Sequence, residues 1–379
     1  MKIIVNTSNL TVGGGLQVAL SFFFELKKFT ADNVYHCFLS PTIKKQIDIS
    51  LFPSNFHFYV IEHSPAKFKF RKLTISKLIE LERSIDPDIV FTVFGPAYWK
   101  PYSPHLEGLA NGWLYNPDTI AYKFQPFFKQ IKSRFLAKLK TFVIKHEAQH
   151  FVVETDDARL KINQYLKINK QKISVVGNTC SSIFDIPMNI EDEKYIRLPF
   201  KKKDKFRLML ICHNYPHKNL SVIRKIIPHL RDCDVEFVLT IDEESYNSLF
   251  CDVRSSVINV GPIDQNKCPS IYMQSDALFF PTLLETFSAS YPEAMKMQIP
   301  ILTSNYSFSK DICGDAALYF DPLNPEDIAE KIKELVMDIN LRKELVSNGN
   351  QRLLTFETSQ SRAIKYIDLC SNIVKVNKS

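Results

Sequence analysis

Two glutamates, Glu285 and Glu293, stand in the stretch ALFFPTLLETFSASYPEAMKM, residues 277–297. The apolar run at its start reads as a buried strand ending at Pro281, and the next residues as a loop carrying Glu285. A helix is expected from Phe287 or Ser288, with Glu293 about two turns inside it at 3.6 residues per turn. The first backbone N–H groups of a helix lack internal partners and point at an anion. Ser288, Ala289 and Ser290 are small enough to let a phosphate approach. A carboxylate can accept two hydrogen bonds from a vicinal diol. An anion pocket flanked by two carboxylates therefore suits a molecule that carries hydroxyl groups beside its anion. Taken singly, either glutamate is better explained as a helix-start carboxylate favoured by the dipole or as a solvated side chain.

A cation stands upstream. Residues 205–220 read KFRLMLICHNYPHKNL: an apolar strand, then a short loop with His213, His217 and Lys218, then a helix. Ligands of open α/β sheets bind at the carboxyl ends of strands, so Lys218 there can meet a diphosphate. By itself a lysine at a helix start is ordinarily a solvated one. Near the N-terminus, Gly13, Gly14 and Gly15 follow a short strand and permit close backbone approach. A tight turn explains them as well, and the pattern lacks the GxGxxG dinucleotide fingerprint.

These residues need elements to hold them. In the first half, strands are expected at 2–6, 34–39, 56–61, 88–94, 151–155 and 172–176. Helices are expected at 16–29 and at 75–85, the latter stopped by Asp86-Pro87. In the second half, strands are expected at 206–212, 235–240, 256–260, 277–281 and 299–303, with helices between them. A helix over 325–338 begins with Pro325, a favoured first-turn residue, and the tail 360–374 is helical by pattern. Alternation of this kind implies parallel sheets. Pro187, Pro199, an acidic run and Lys201-Lys202-Lys203 break the rhythm and mark a linker. The predicted organisation is a domain over 1–185, a linker over 186–205, a second domain over 206–355 and a C-terminal helix over 356–379, packing back on the first domain.

Bulk properties narrow the function classes. The chain has 379 residues, 45% of them hydrophobic, with 29 Phe and 15 Tyr, which excludes a disordered chain. The net charge of +7 favours anionic partners. No nucleic-acid-binding motif accompanies that charge, so nucleic acid is not expected. The eight cysteines form no CxxC pair and no zinc spacing, so reduced thiols, a cytoplasmic location and no metal are expected. The start MKIIVNTSNL is not a secretory leader, and no stretch of about 18 apolar residues marks a membrane span. Residues 123–150 are different. Phe127, Phe128, Ile131, Phe135, Leu139, Phe142 and Val143 recur at helical spacing, with Lys129, Lys132, Arg134, Lys138 and Lys140 between them. Such a helix either lies on an anionic membrane surface or packs its apolar side into a core. A second basic-aromatic cluster, KFKFRK, occupies 67–72.

Glu285 and Glu293, followed by Ala294-Met295 and Ile299-Pro300-Ile301, resemble the signature of family 4 retaining glycosyltransferases. Val260-Gly261-Pro262, the CHNYPHKN loop and DICGDAALYFD at 311–321 resemble that family too, in the same order. The likeness covers about 206–336 well and the N-terminal half weakly. It implies the GT-B fold, two Rossmann-like α/β domains facing each other across a cleft. It also implies a hexosyltransferase-like enzyme of surface polysaccharide biosynthesis. A nucleotide-sugar would be the donor, and a lipid-linked or saccharide molecule the acceptor. By this resemblance Glu293 binds the ribose hydroxyls and Glu285 contacts the transferred sugar. Phe287, Ser288 and Ala289 hold the phosphates through their backbone, and Lys218 meets the diphosphate. Gly14 and Gly15 lie in the family's N-terminal glycine loop and, with His213, are implied to contact the nucleotide-sugar, while Glu285 and Lys218 are the implied catalytic residues. The resemblance also implies transfer without a bound metal or other cofactor.

The chain departs from the family pattern in three places. Ser288 replaces a frequent glycine, His213 a frequent arginine, and Asn111 and Trp113 stand where a histidine is often found. No catalytic base can therefore be named. A nucleotide-sugar epimerase built on the same fold is the alternative, with a nucleic-acid-binding protein behind it.

Overall fold

The computed structural model describes residues 1–11, 13–28, 33–186, 192 and 195–378. Two compact units divide the chain. The first comprises residues 1–117, 132–178 and 357–379, and the second residues 118–131 and 179–356. The expected boundaries at 185 and 206 lie elsewhere. Part of the expected linker, 187–191 with 193 and 194, is outside the described residues. From Ile196 on, the same stretch is bonded into the second unit: the Ile196 amide donates to Ser270 Oγ and the Leu198 amide to Gln274 Oε1. Lys201 pairs with Asp276 at 2.5 Å.

The first unit holds a seven-stranded sheet: β1 (Lys2–Thr7), β2 (Val34–Leu39), β3 (Phe56–Val60), β4 (Ile89–Thr92), β5 (His105–Gly108), β6 (His150–Val153) and β7 (Ile173–Val175). Its order is β3-β2-β1-β4-β5-β6-β7, with every pairing parallel. Helices cover parallel sheets on both faces, so central strands read as continuous apolar runs. β1 and β4 follow that rule: Ile3 to Val5 and Ile89 to Phe91 are fully buried. β5 was not expected as a strand. His105 and Glu107 interrupt its apolar signal, yet both are fully buried.

The helix Arg71–Ile85 ends where Asp86-Pro87 predicts, with Asp86 in the left-handed region at φ 50. The helix Gly14–Leu26 starts after Gly13 at φ 82, a conformation that favours glycine. Its expected last residue, Phe29, lies outside the described residues. The helix Ser359–Lys378 lies against Gly14–Leu26 within the first unit. Tyr366 sets its ring 5.6 Å from Phe22 and 5.1 Å from Phe91. Arg362, 2% exposed, donates to Asn178 Oδ1 and to Ser21 Oγ.

The second unit holds six parallel strands: β8 (Phe206–Leu210), β9 (Val235–Leu239), β10 (Val257–Asn259), β11 (Ala277–Phe280), β12 (Ile301–Ser304) and β13 (Ala317–Phe320). Their order is β10-β9-β8-β11-β12-β13. β13 lies inside the 311–321 motif and was not expected as a strand. The helix Pro325–Met337 begins at Pro325, capped by the Asn324 side chain.

Candidate functional site

In each sheet the order reverses beside the first strand. From β8 the chain moves outward to β9 and β10, then returns to β11 on the other side. Loops leaving β8 and β11 thus diverge, opening a crevice at the carboxyl ends of two neighbouring strands. Lys218 follows β8 and Glu285 follows β11. The crevice of the second unit therefore lies between the two loops that the sequence singles out.

The two loops are tied together. The Leu283 amide donates to the His217 carbonyl at 2.7 Å, and the loop after β8 is further fixed by Asn219 Nδ2, which donates to the Pro322 carbonyl beyond β13 at 2.9 Å. Asn219 takes a left-handed φ of 55 and ends the short turn Pro216–Lys218. Lys218 Nζ donates to Glu285 Oε1 at 2.5 Å and sits 4.6 Å from the centre of the Phe280 ring. Thr282 Oγ1 donates to the same oxygen at 2.8 Å. Both charged side chains are only 14% and 12% exposed, so this pair is screened far less than a surface one.

Glu293 is 8% exposed, and burial lifts its carboxyl to about 7. The Tyr272 hydroxyl donates to Glu293 Oε2 at 2.8 Å and partly offsets that rise. The helix carrying Glu293 runs from Ser290 to Lys296, not from Phe287 or Ser288, and Glu293 stands in its first turn rather than two turns in. Pro292 explains the difference. Its ring would clash with the carbonyl of Ser288, four residues back, if the helix began there. Tyr291 N bonds to Ser288 O, Glu293 N to Ala289 O, and Pro292 has no N–H. The helix proper has little to offer an anion. The donors for one are the amides of the preceding loop, where Phe287, Ser288 and Ala289 lie. Ser288 is buried, and Phe287 meets the Phe356 ring edge-on at 6.1 Å.

His213 is exposed and packs edge-on against Tyr215. His217 stacks on Tyr215 at 5.7 Å, and burial lowers its imidazole to about 4, so it is neutral. Gly14 and Gly15 belong to the first unit, at the crevice between the loops after β1 and β4. There Asn9 Nδ2 joins the two loops by donating to the carbonyls of Phe94 and Pro96. A Cβ at Gly14 would meet nothing within 4 Å, whereas one at Gly15 would lie 3.2 Å from the Phe94 ring. Asn111 caps the turn Gly112–Leu114, accepting from the Trp113 amide.

Three contributors were not read from the sequence. Thr282 and Tyr272 hold the two glutamates, and a hydroxyl on a strand end or a buried helix carries no pattern of its own. The third is Thr119, whose Oγ1 reaches the Leu283 carbonyl at 3.5 Å, because residues 118–131 belong to the second unit. A buried acid pair was missed too. Glu147 Oε1 accepts from the Ala97 amide at 2.6 Å, and the fully buried Glu107 carboxyl faces Glu147 closely enough for the two to share a proton. A Cβ on Gly95 would fall 1.9 Å from Glu107 Oε1, so only glycine fits beside that carboxyl.

The basic amphipathic segment forms the helix Phe127–Glu147. It does not bury its apolar side in a core. Phe128 is 84% exposed, and Phe127, Ile131, Phe135, Leu139 and Phe142 are all more than half or nearly half exposed. Only Ile144 and Glu147 of this helix are buried. Among the described residues no helix is long and apolar enough to cross a membrane, and no cluster of three or more His, Cys, Asp or Glu could hold a metal ion.

Residues 192–352 match the family model described as "Glycosyl transferases group 1". The match falls on the stretch whose motifs carry the resemblance. The capsular polysaccharide biosynthesis glycosyltransferase CapM of Staphylococcus aureus is 28% identical over 123 residues, 32% of this chain. The aligned stretch spans only 31% of CapM's own length. A glycosyltransferase from Rickettsia africae has a similar structure, with a TM-score of 0.74 at 15% identity over 99% of this chain and 98% of its own. HepE from Anabaena, solved with UDP and glucose, gives 0.68 at 10% identity over 98% and 99%. At such identities these structures speak for the fold, which is GT-B: two Rossmann-like α/β units.

Proposed function

We propose that this chain is a retaining glycosyltransferase of family 4, moving a hexose from a nucleotide-sugar to a lipid-linked or saccharide acceptor in surface polysaccharide biosynthesis. The observation that carries this reading is the Lys218–Glu285 pair set across the crevice of the second unit. A diphosphate entering there draws the Lys218 ammonium from Glu285 and frees that carboxylate for the hydroxyls of the transferred sugar. Lys218 then stabilises the charge that builds on the departing diphosphate. Loop amides at Phe287, Ser288 and Ala289 take the phosphate oxygens, and Glu293 takes the ribose diol. His213, in the loop that carries Lys218, offers a phosphate a ring N–H where the family often has arginine. No metal is needed in this reading, because lysine and backbone amides supply the positive potential. HepE, with UDP and glucose bound, supports a nucleotide-sugar as the donor, and CapM supports a polysaccharide product. The exposed basic-aromatic helix supports attachment to the cytoplasmic face of an anionic membrane, where lipid-linked acceptors reside.

The test supplies a panel of nucleotide-sugars with a lipid-linked acceptor pool in the presence of chelator, reading product mass and anomeric configuration. A retained anomer on an extended acceptor is expected. A sugar altered without acceptor would replace transferase by epimerase, and activity restored only by Mg²⁺ or Mn²⁺ would overturn the metal-free reading. Lys218→Ala should lower turnover even at saturating donor, because the lysine acts most strongly in the transition state. A change in KM alone would assign it uniform binding instead.

A further inference from the structure

Glu293 occupies an unusual setting for a group that must present negative charge to a diol. It is 8% exposed and carries no salt bridge among the described residues. The titratable groups that face it are Tyr272 and Cys268, from the helix Cys268–Met273, and Cys180. Burial keeps both thiols protonated, and burial also holds the Tyr272 phenol well above its ordinary value. None of the three brings a positive charge. The one hydrogen bond made to the Glu293 carboxyl comes from the Tyr272 hydroxyl, at 2.8 Å to Oε2. Oε1 has no protein partner among the described residues and is left for a ligand.

We propose that Tyr272 is the positioning residue for Glu293: its hydroxyl pins Oε2 and favours the ionised carboxyl, so that the group meets the ribose as a charged acceptor. The inference rests on Glu293 being the ribose-binding residue. Tyr272 itself is fully buried and touches no ligand. It acts by fixing the rotation of the carboxyl and by donating to the form that carries charge. A protonated Glu293 would spend its own O–H as a donor and lose acceptor capacity. Since burial places its titration at about 7, nucleotide affinity should rise with pH through neutrality. Removing the Tyr272 hydroxyl moves that rise to higher pH.

The experiment is calorimetry of UDP, and of the other nucleoside diphosphates, against the whole chain from about pH 6 to 9. In Tyr272→Phe the inflection should move up by about one pH unit, with on the order of a tenfold loss of affinity at the acid end. Affinity should converge on wild type at the alkaline end. A phenol made more acidic, as 3-fluorotyrosine introduced at position 272, should move the inflection the other way while keeping the volume. That variant answers the question if Tyr272→Phe does not fold. Equal loss at every pH, or no opposite shift with fluorotyrosine, would make Tyr272 a packing residue and overturn the proposal. Glu293→Gln separates the two layers: its affinity should be weak and flat with pH. If Glu293→Gln binds like wild type, the ribose assignment itself fails, whatever Tyr272 does.

Discussion

Glu107 and Glu147 share one buried place in the first unit, and only one of them can ionise there at modest cost. Burial raises both carboxyls, and the charge of Glu147 raises Glu107 further. His105 cannot compensate, since burial lowers its imidazole to about 4. Tyr98 and Arg71 face the pair, and Arg71 favours charge on Glu147. The folded protein therefore holds protons that the unfolded chain has released above the ordinary value of 4.5. Stability is full below that value and falls as pH rises through the raised folded titration, by at most about 1.4 kcal/mol per pH unit per group. Glu107→Gln should flatten that slope, read by urea unfolding from about pH 5 to 8. A slope unchanged in Glu107→Gln would mean that the pair holds no excess proton. The pair was invisible in the sequence because its members lie on different elements, far apart in the chain. The placement of Lys218 and Glu285 was legible because each lies in the loop that follows an apolar strand, and Glu293 stands in the helix after that loop. Their bonded partners Thr282 and Tyr272 were not, since a single hydroxyl has no spacing to read.

At the scale of elements, the strand and helix alternation was legible wherever apolar runs were uninterrupted, as in β1, β8 and β11. It failed at β5, whose four residues include a buried histidine and a buried glutamate. It also misplaced the start of the helix Ser290–Lys296, because Pro292 forbids the turn that the amphipathic pattern allows. For residues 127–147 the pattern left two readings, and the exposure of Phe127, Phe128, Phe135 and Phe142 removes the packed one. Each lysine or arginine held at an anionic surface contributes about 1 kcal/mol. Co-sedimentation with anionic vesicles should therefore exceed that with neutral ones and fall with salt. Replacing Lys129, Lys132, Arg134 and Lys138 together by Gln should release most of the protein. Equal binding to both vesicle types would reject the electrostatic part of this attachment.

For the whole molecule, the division into units has an energetic signature. Tyr366 is 2% exposed and fills the core of the first unit from the helix Ser359–Lys378. Tyr366→Ala should cost about 3–5 kcal/mol, the range for deleting a buried aromatic ring. The loss should appear in the thermal transition of the first unit, with nucleoside diphosphate affinity little changed, because Lys218, Glu285 and Glu293, proposed above to hold the donor, belong to the second. A shift of both transitions together would mean that the two units unfold as one.

That same helix sets an order of events during translation. The second unit, residues 118–131 and 179–356, is fully synthesised before any of residues 357–379. The first unit, although it is begun earlier, must wait with Phe22 and Phe91 lacking the cover of Tyr366. The half made first therefore finishes last, and a chain ending at residue 356 carries every residue of one unit and leaves an apolar surface of the other open for a chaperone to hold.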